Sequence, residues 1–164
     1  MINAIVAVNE DWGIGYNGNL LESIPADLKN FKELTTNNVV IMGSKTWDSL
    51  PKKPLPNRNN VIITRKEYPS SGTSQVIYMT LEELLPWLET SKKEIFIIGG
   101  GIIYKELLPY CNRVYITKIY KKHENVDTYF PNLDKDPQWK SMALGELENY
   151  KDFSFQFWQY DRIT

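Results

Sequence analysis

The sequence contains one cysteine, Cys111, and one histidine, His123. A single cysteine excludes an internal disulfide, and there is no Cys/His cluster to hold a metal. Triads that need a histidine base are left with His123 alone. That residue stands in the polar run Lys121-Lys122-His123-Glu124-Asn125, which reads as a solvated loop. Charge of one sign is also lacking: 19 basic and 20 acidic residues leave a formal net charge of -1. No strong field therefore draws the molecule to nucleic acid or to an anionic membrane. No apolar run is long enough to span a bilayer. The apolar start, residues 1–8, has no basic leader and runs into Glu10-Asp11, so it reads as a strand rather than a signal peptide. A cytoplasmic protein is expected.

What is present suits one folded domain over residues 1–164. Apolar residues make up 42% and charged residues 24%, ordinary values for a chain that buries a core. Apolar, β-branched runs at 2–8, 39–42, 61–64, 75–79, 95–98 and 114–119 read as buried strands. Helix signals lie between them. Pro25 can open a helix carrying Asp27, Leu28, Phe31 and Leu34 on one side. Thr80 and Glu83 have capping-box spacing, and Pro86 should shorten or kink the helix they start. Such alternation predicts an α/β fold: a mostly parallel central sheet with flanking helices. Residues 153–160 alternate with period two and pair with 139–144 as a C-terminal antiparallel hairpin. Residues 11–23, rich in Gly and Asn after a buried strand, read as a mobile loop over a site.

Four places carry chemistry. Asp27 falls in the first turn of its helix, where the helix dipole favours a carboxylate. Phe31 is four residues on, so the carboxylate and the ring share a face that should be buried. A buried carboxylate needs partners, and a flat ligand donating two hydrogen bonds would supply them. The second place is Ile97-Ile98-Gly99-Gly100-Gly101-Ile102-Ile103-Tyr104, where three glycines join a strand to a helix. Their missing side chains admit a phosphate or simply make a tight turn, and the full G-x-G-x-x-G fingerprint is absent. The third, Ile41-Met42-Gly43-Ser44-Lys45-Thr46-Trp47, repeats the strand-glycine-helix pattern. Together the two turns imply one extended anionic ligand across the strands' C-terminal ends; Trp47 reads as core. The fourth is the proline-rich stretch 50–58, ending in Arg58. That arginine is either an ordinary surface residue or a bidentate clamp for a carboxylate.

In this order these segments resemble dihydrofolate reductase. The similarity runs nearly the whole chain through Ile14-Gly15, residues 24–32, 40–47, 55–58, 98–104 and Asp127-Thr128-Tyr129-Phe130-Pro131. The resemblance implies an NADPH-dependent reduction of 7,8-dihydrofolate to tetrahydrofolate by a monomer, with dihydrofolate and antifolate inhibitors as small-molecule partners. It casts Asp27 as the catalytic acid, accepting from the pterin's N3 and 2-amino groups, with Thr117 in support. Ile5, Ala7, Phe31, Ile98 and Tyr104 resemble residues around the substrate; Ser49, Leu50 and Leu55 match positions beside the benzoyl group, and Arg58 the clamp on the glutamate α-carboxylate. NADPH contacts are implied at Ala7, Ile14, Gly15, Gly43, Ser44, Lys45, Thr46, Thr64, Arg65, Ile98, Gly99, Gly100, Gly101, Ile102, Ile103 and Tyr104. Arg65 is implied at the 2′-phosphate, and a cis peptide at Gly99-Gly100.

One departure stands out. The family reads Leu-Pro-Trp where this chain reads Leu20-Leu21-Glu22. If the loop closes as in relatives, Glu22 comes near Asp27 and keeps it protonated to higher pH; otherwise it points into solvent. Two rival functions stay open on sequence: a pyrimidine reductase of the riboflavin pathway, which has a related fold, and a non-catalytic folate- or NADPH-binding module. The Asp27–Phe31 pair and Arg58 favour folate.

Overall fold

A computed structural model describes residues 1–65 and 75–163. In chain order the strands and helices are β1 (Ile2–Val8), β2 (Gly13–Tyr16), β3 (Asn19–Leu20), α1 (Pro25–Thr35), β4 (Val39–Gly43), α2 (Ser44–Ser49), β5 (Asn59–Ile63) and β6 (Val76–Met79). Then come α3 (Leu81–Leu88), β7 (Ile95–Gly99), α4 (Gly101–Leu107), β8 (Arg113–Tyr120), β9 (Thr128–Tyr129), β10 (Trp139–Ala143), β11 (Glu148–Tyr150) and β12 (Phe153–Arg162). Among the described residues the main sheet runs β10-β12-β8-β1-β7-β4-β5-β6. Pairing is parallel from β8 through β6, and antiparallel where β12 meets β8 and β10.

The β-branched runs form the parallel strands because both faces of the sheet are covered. Successive side chains point to opposite faces. Val39, Ile41, Val61, Ile63, Ile95 and Ile97 enter one core with Leu84, Leu88 and Leu107. Val40, Met42, Ile62 and Phe96 enter a second, against Phe31, Leu34 and Trp47. Glycine ends β4 and β7 where helices begin, and the Thr80–Glu83 capping box starts α3 as its spacing predicts. Pro86 is held in the interior of α3, which ends at Leu88.

The expected C-terminal antiparallel pairing forms, with Trp139 opposite Arg162 and Ala143 opposite Trp158, and β12 also pairs with β8 and β11. Two local expectations change. Residues 11–23 are not an open loop: β2 and β3 join β9 in a second, three-stranded sheet. Leu28 does not join the buried face of α1 but is 52% exposed. It lies roughly 100° around the helix from Asp27, whereas Phe31 lies one turn along from it.

Candidate active site

Asp27 enters the site from the first turn of α1, whose first residue is Pro25. Across from it Ala7 of β1 pairs with Thr117 of β8. The Thr117 hydroxyl donates to Asp27 Oδ1 at 2.5 Å. Burial pushes the Asp27 carboxyl above the ordinary carboxylate range, and the Thr117 bond pulls it partly back. Among the described residues no cation pairs with Asp27, and Oδ2 accepts no hydrogen bond. The site thus holds a desolvated acceptor with one oxygen unused.

The apolar side follows from strand alternation. Ile5 of β1 and Ile98 of β7 share one cluster with Phe31, Leu50 and Leu55. Ala7 packs in the neighbouring cluster beside Ile24 and Ala26. At its far end stands Arg58, only 6% exposed. Its Nε donates to the Pro56 carbonyl at 2.9 Å and Nη1 to Thr35 Oγ1 at 3.1 Å. Its guanidinium sits 5.9 Å from the Phe31 ring centroid. Burial pushes its pKa down, and no acid pairs with it among the described residues. A buried arginine held by neutral acceptors, with guanidinium donors left over, suits an incoming carboxylate. Ser49 takes a local role, donating to the Thr46 carbonyl at 2.8 Å at the end of α2.

The glycine turns lie side by side because β4 and β7 are parallel neighbours, with Met42 opposite Gly99. Gly99-Gly100 is a cis peptide. A Cβ on Gly99 or Gly100 would stand 3.6 or 3.4 Å from Thr46 Oγ1, and one on Gly43 would meet Ile103 Cγ1 at 3.0 Å. The turns therefore form a cradle that side chains would fill, as a phosphate-bearing ligand requires. Ser44, Lys45 and Thr46 open α2 here, and Gly101, Ile102 and Ile103 open α4. Ile102 is 73% exposed. One strand further along, buried Thr64 and exposed Arg65 follow β5. Tyr104 and Ile14 belong instead to the core on the opposite face. The Tyr104 hydroxyl, pushed up by burial and by the Asp27 charge, donates to the Ile5 carbonyl at 2.7 Å. Gly15 lies in β2, where its carbonyl accepts from Asp127 N at 3.1 Å.

Glu22 and His123 depart from the sequence reading together. Glu22 faces neither Asp27 nor open solvent: its Oε2 lies 2.8 Å from His123 Nε2 and 3.6 Å from Lys121 Nζ. His123 is in a loop, but its side chain is only 12% exposed. Asn9, which sequence reasoning passed over, supplies the other ring contact. Nothing in a polar run distinguishes a solvated histidine from a bonded one when its partners lie about a hundred residues away.

Comparison with known proteins agrees with this geometry. The dihydrofolate reductase family model matches residues 1–162. Dihydrofolate reductase of Bacillus subtilis (strain 168) is 33% identical over 164 residues, covering 99% of this chain and 95% of that protein. The enzyme of Buchnera aphidicola subsp. Acyrthosiphon pisum (strain APS) is 38% identical over 141 residues, covering 86% and 85%. A solved dihydrofolate reductase from Enterococcus faecalis, complexed with NADP(H) and RAB-propyl, superposes with a TM-score of 0.82 at 32% identity, covering 99% and 96%. The chain belongs to the dihydrofolate reductase family.

Proposed function

We propose that the cleft between α1, β1 and β7 binds the pterin of 7,8-dihydrofolate on Asp27, and that the glycine turns bind NADPH. The protein is an NADPH-dependent dihydrofolate reductase, and its product is 5,6,7,8-tetrahydrofolate. The observation that carries this assignment is the Asp27 carboxylate: half-buried, fixed by Thr117 through one oxygen, and without a cation among the described residues. Adjacent N–H donors on a flat ring complete its hydrogen bonding, and its charge favours a protonated substrate. Ile5, Ala7, Phe31 and Ile98 wall the ring. Ser49, Leu50 and Leu55 stand beside the benzoyl group, and Arg58 takes the α-carboxylate. Antifolate inhibitors with the same donor pattern occupy the same place.

When bound, NADPH supplies the hydride. The cradle of Gly43, Gly99, Gly100 and Gly101 with Ser44, Lys45, Thr46, Ile102 and Ile103 holds it. Thr64 and Arg65 recognise its adenosine end, and Ile14, Gly15 and Tyr104 flank the nicotinamide side. Asp27 orients and polarises the substrate while water delivers the proton to N5. The family model's span over residues 1–162 supports a single catalytic domain over residues 1–164, which this reading takes to act as a monomer. A cytoplasmic location fits the balanced charge.

The test is the loss of NADPH absorbance. Loss only when dihydrofolate is present is the expected result. Binding of both ligands without turnover would favour a folate-binding module.

A further inference from the structure

One imidazole links the two ends of the segment between β1 and α1. Asn9, just after β1, uses its side-chain Oδ1 to accept from the backbone N–H groups of Asp11 at 2.9 Å and Gly13 at 2.8 Å. With that oxygen so engaged, the amide turns its NH2 outward, and NH2 can only donate. It meets His123 Nδ1 at 3.1 Å. Nδ1 is therefore the acceptor, the ring's proton sits on Nε2, and Nε2–H donates to Glu22 Oε2 at 2.8 Å.

We infer that His123 is a positioning residue of this reductase, fixed as the neutral Nε2–H tautomer between Asn9 and Glu22, and that a second proton on its ring releases the Asn9 end. A proton on Nδ1 would face the Asn9 NH2. Rotating that amide would restore one bond and abandon the two that hold Asp11 and Gly13. If the amide rotates, the turn from Asn9 to Gly13 keeps its backbone bonds, Asn9 N–H to the Gly13 carbonyl at 3.0 Å and Trp12 N–H to the Asn9 carbonyl at 3.1 Å, but loses both side-chain bonds, which loosens the start of β2, where Ile14 and Gly15 lie. The Glu22 end responds in the opposite sense, because a charged donor binds a carboxylate more strongly.

The surrounding charges are of both signs. Lys121 lies 3.6 Å from Glu22 Oε2 and 3.5 Å from Asp152 Oδ1. Lys122 and Glu124 flank the ring in sequence, and Glu10 and Asp11 follow Asn9. A cavity of about 510 Å3, lined in part by His123, Tyr16, Leu20 and Lys122, gives protons a path to the ring. The effect on catalysis rests on the proposed placement of Ile14 and Gly15 beside NADPH.

His123 is the only histidine, so the ring 15N signals of the whole protein belong to it. At pH 8 a protonated Nε2 and a bare Nδ1 are expected; the reverse pattern overturns the inference. From pH 8 to 5, the interval in which imidazoles generally change charge, the KM for NADPH should rise about three- to tenfold, the scale of one lost hydrogen bond. The ring signal should move in step with it. Asn9→Asp places a carboxylate against Nδ1, so the ring should protonate at higher pH while the acid rise in KM disappears. His123→Asn, which keeps a partner for Asn9 and cannot titrate, should flatten the rise as well. A flat wild-type KM with the expected ring pattern overturns the positioning role. So does a rise that persists unchanged in His123→Asn. The ring pattern is independent of folate chemistry. Failure of the active-site assignment would show instead as unimpaired turnover in Asp27→Asn.

Discussion

Asp27 and Glu22 are two carboxylates on one short stretch of chain, and their surroundings differ in kind. Asp27 is desolvated, receives one hydrogen bond and has no cation among the described residues. Glu22 has an imidazole and a lysine at its Oε2. The first acceptor is held ready for a ligand, and the second is already committed to fixing the chain that covers the cleft. The difference shows how two nearby carboxylates are satisfied in different ways: Glu22 by side chains distant in the sequence, Asp27 through Thr117 alone.

The largest effect should come from the ligand-facing carboxylate. Asp27→Asn should lower turnover near neutral pH by about 10² or more, the scale of losing a positioned acid-base group. The same substitution should raise the melting temperature at alkaline pH. Because burial holds the folded-state pKa above its ordinary value, the favourable contribution of Asp27 to stability exists below the unfolded pKa. It is lost as pH rises through the folded one. An amide has no charge to desolvate, so the gain over wild type should vanish in acid. Melting curves at both ends of the pH range check the sign. A melting temperature lowered at alkaline pH would mean that Asp27 is a structural anion like Glu22, and the contrast would collapse.

Arg58 extends the comparison to a cation. Arg58→Ala should raise the KM for dihydrofolate about 10- to 100-fold, the range for a hydrogen-bonded charged contact, with NADPH affinity retained. Equal losses for both ligands would instead make Arg58 a brace between Pro56 and Thr35. Arg58→Lys should recover only part of the binding, since an ammonium lacks the planar fork.

Much of the ligand-facing half was legible in the sequence, because its signals are local. Asp27 and Phe31 are one helical turn apart, each glycine turn directly follows an apolar run, and Thr80 with Glu83 spells its own cap. The β-branched runs marked the parallel strands for a similar reason: burial on both faces leaves no polar alternation to confuse the pattern. The other half depends on contacts between distant segments. Asn9, Glu22 and His123 come from three places in the chain, and each looks like an ordinary polar loop residue alone. The short strands β2, β3 and β9 escaped notice because they make a sheet only with one another, and β11 because three residues give no period to read. Leu28 was misplaced because an apolar residue beside the cleft need not be covered by protein.

A smaller effect should separate cofactor recognition from both carboxylates. Arg65 is exposed after β5, one strand beyond the glycine turns. Arg65→Ala should weaken NADPH about tenfold, the scale of one charge-assisted hydrogen bond, and barely change NADH, which brings no 2′-phosphate. Titrations with the two cofactors measure the ratio directly. Equal weakening would place Arg65 outside phosphate recognition.

The smallest effect is the most pointed. Were Glu22 about 6 Å from Asp27, their repulsion would raise the Asp27 titration by about half a unit in water and by about two at an effective dielectric of 20. The His123 and Lys121 contacts remove the ground for that repulsion, because the neutral imidazole holds Glu22 Oε2 in place and the Lys121 ammonium at 3.6 Å offsets its charge. Glu22→Gln should therefore leave the Asp27 inflection of the hydride step within about half a unit of wild type. It should instead weaken the bond that His123 Nε2–H donates, since a neutral amide accepts less strongly than a carboxylate. The two effects are measured on different signals, one on the rate of the hydride step and one on the ring nitrogens. A shift confined to the hydride step would mean that the loop closes onto Asp27 during turnover and breaks the His123 contact as it does so.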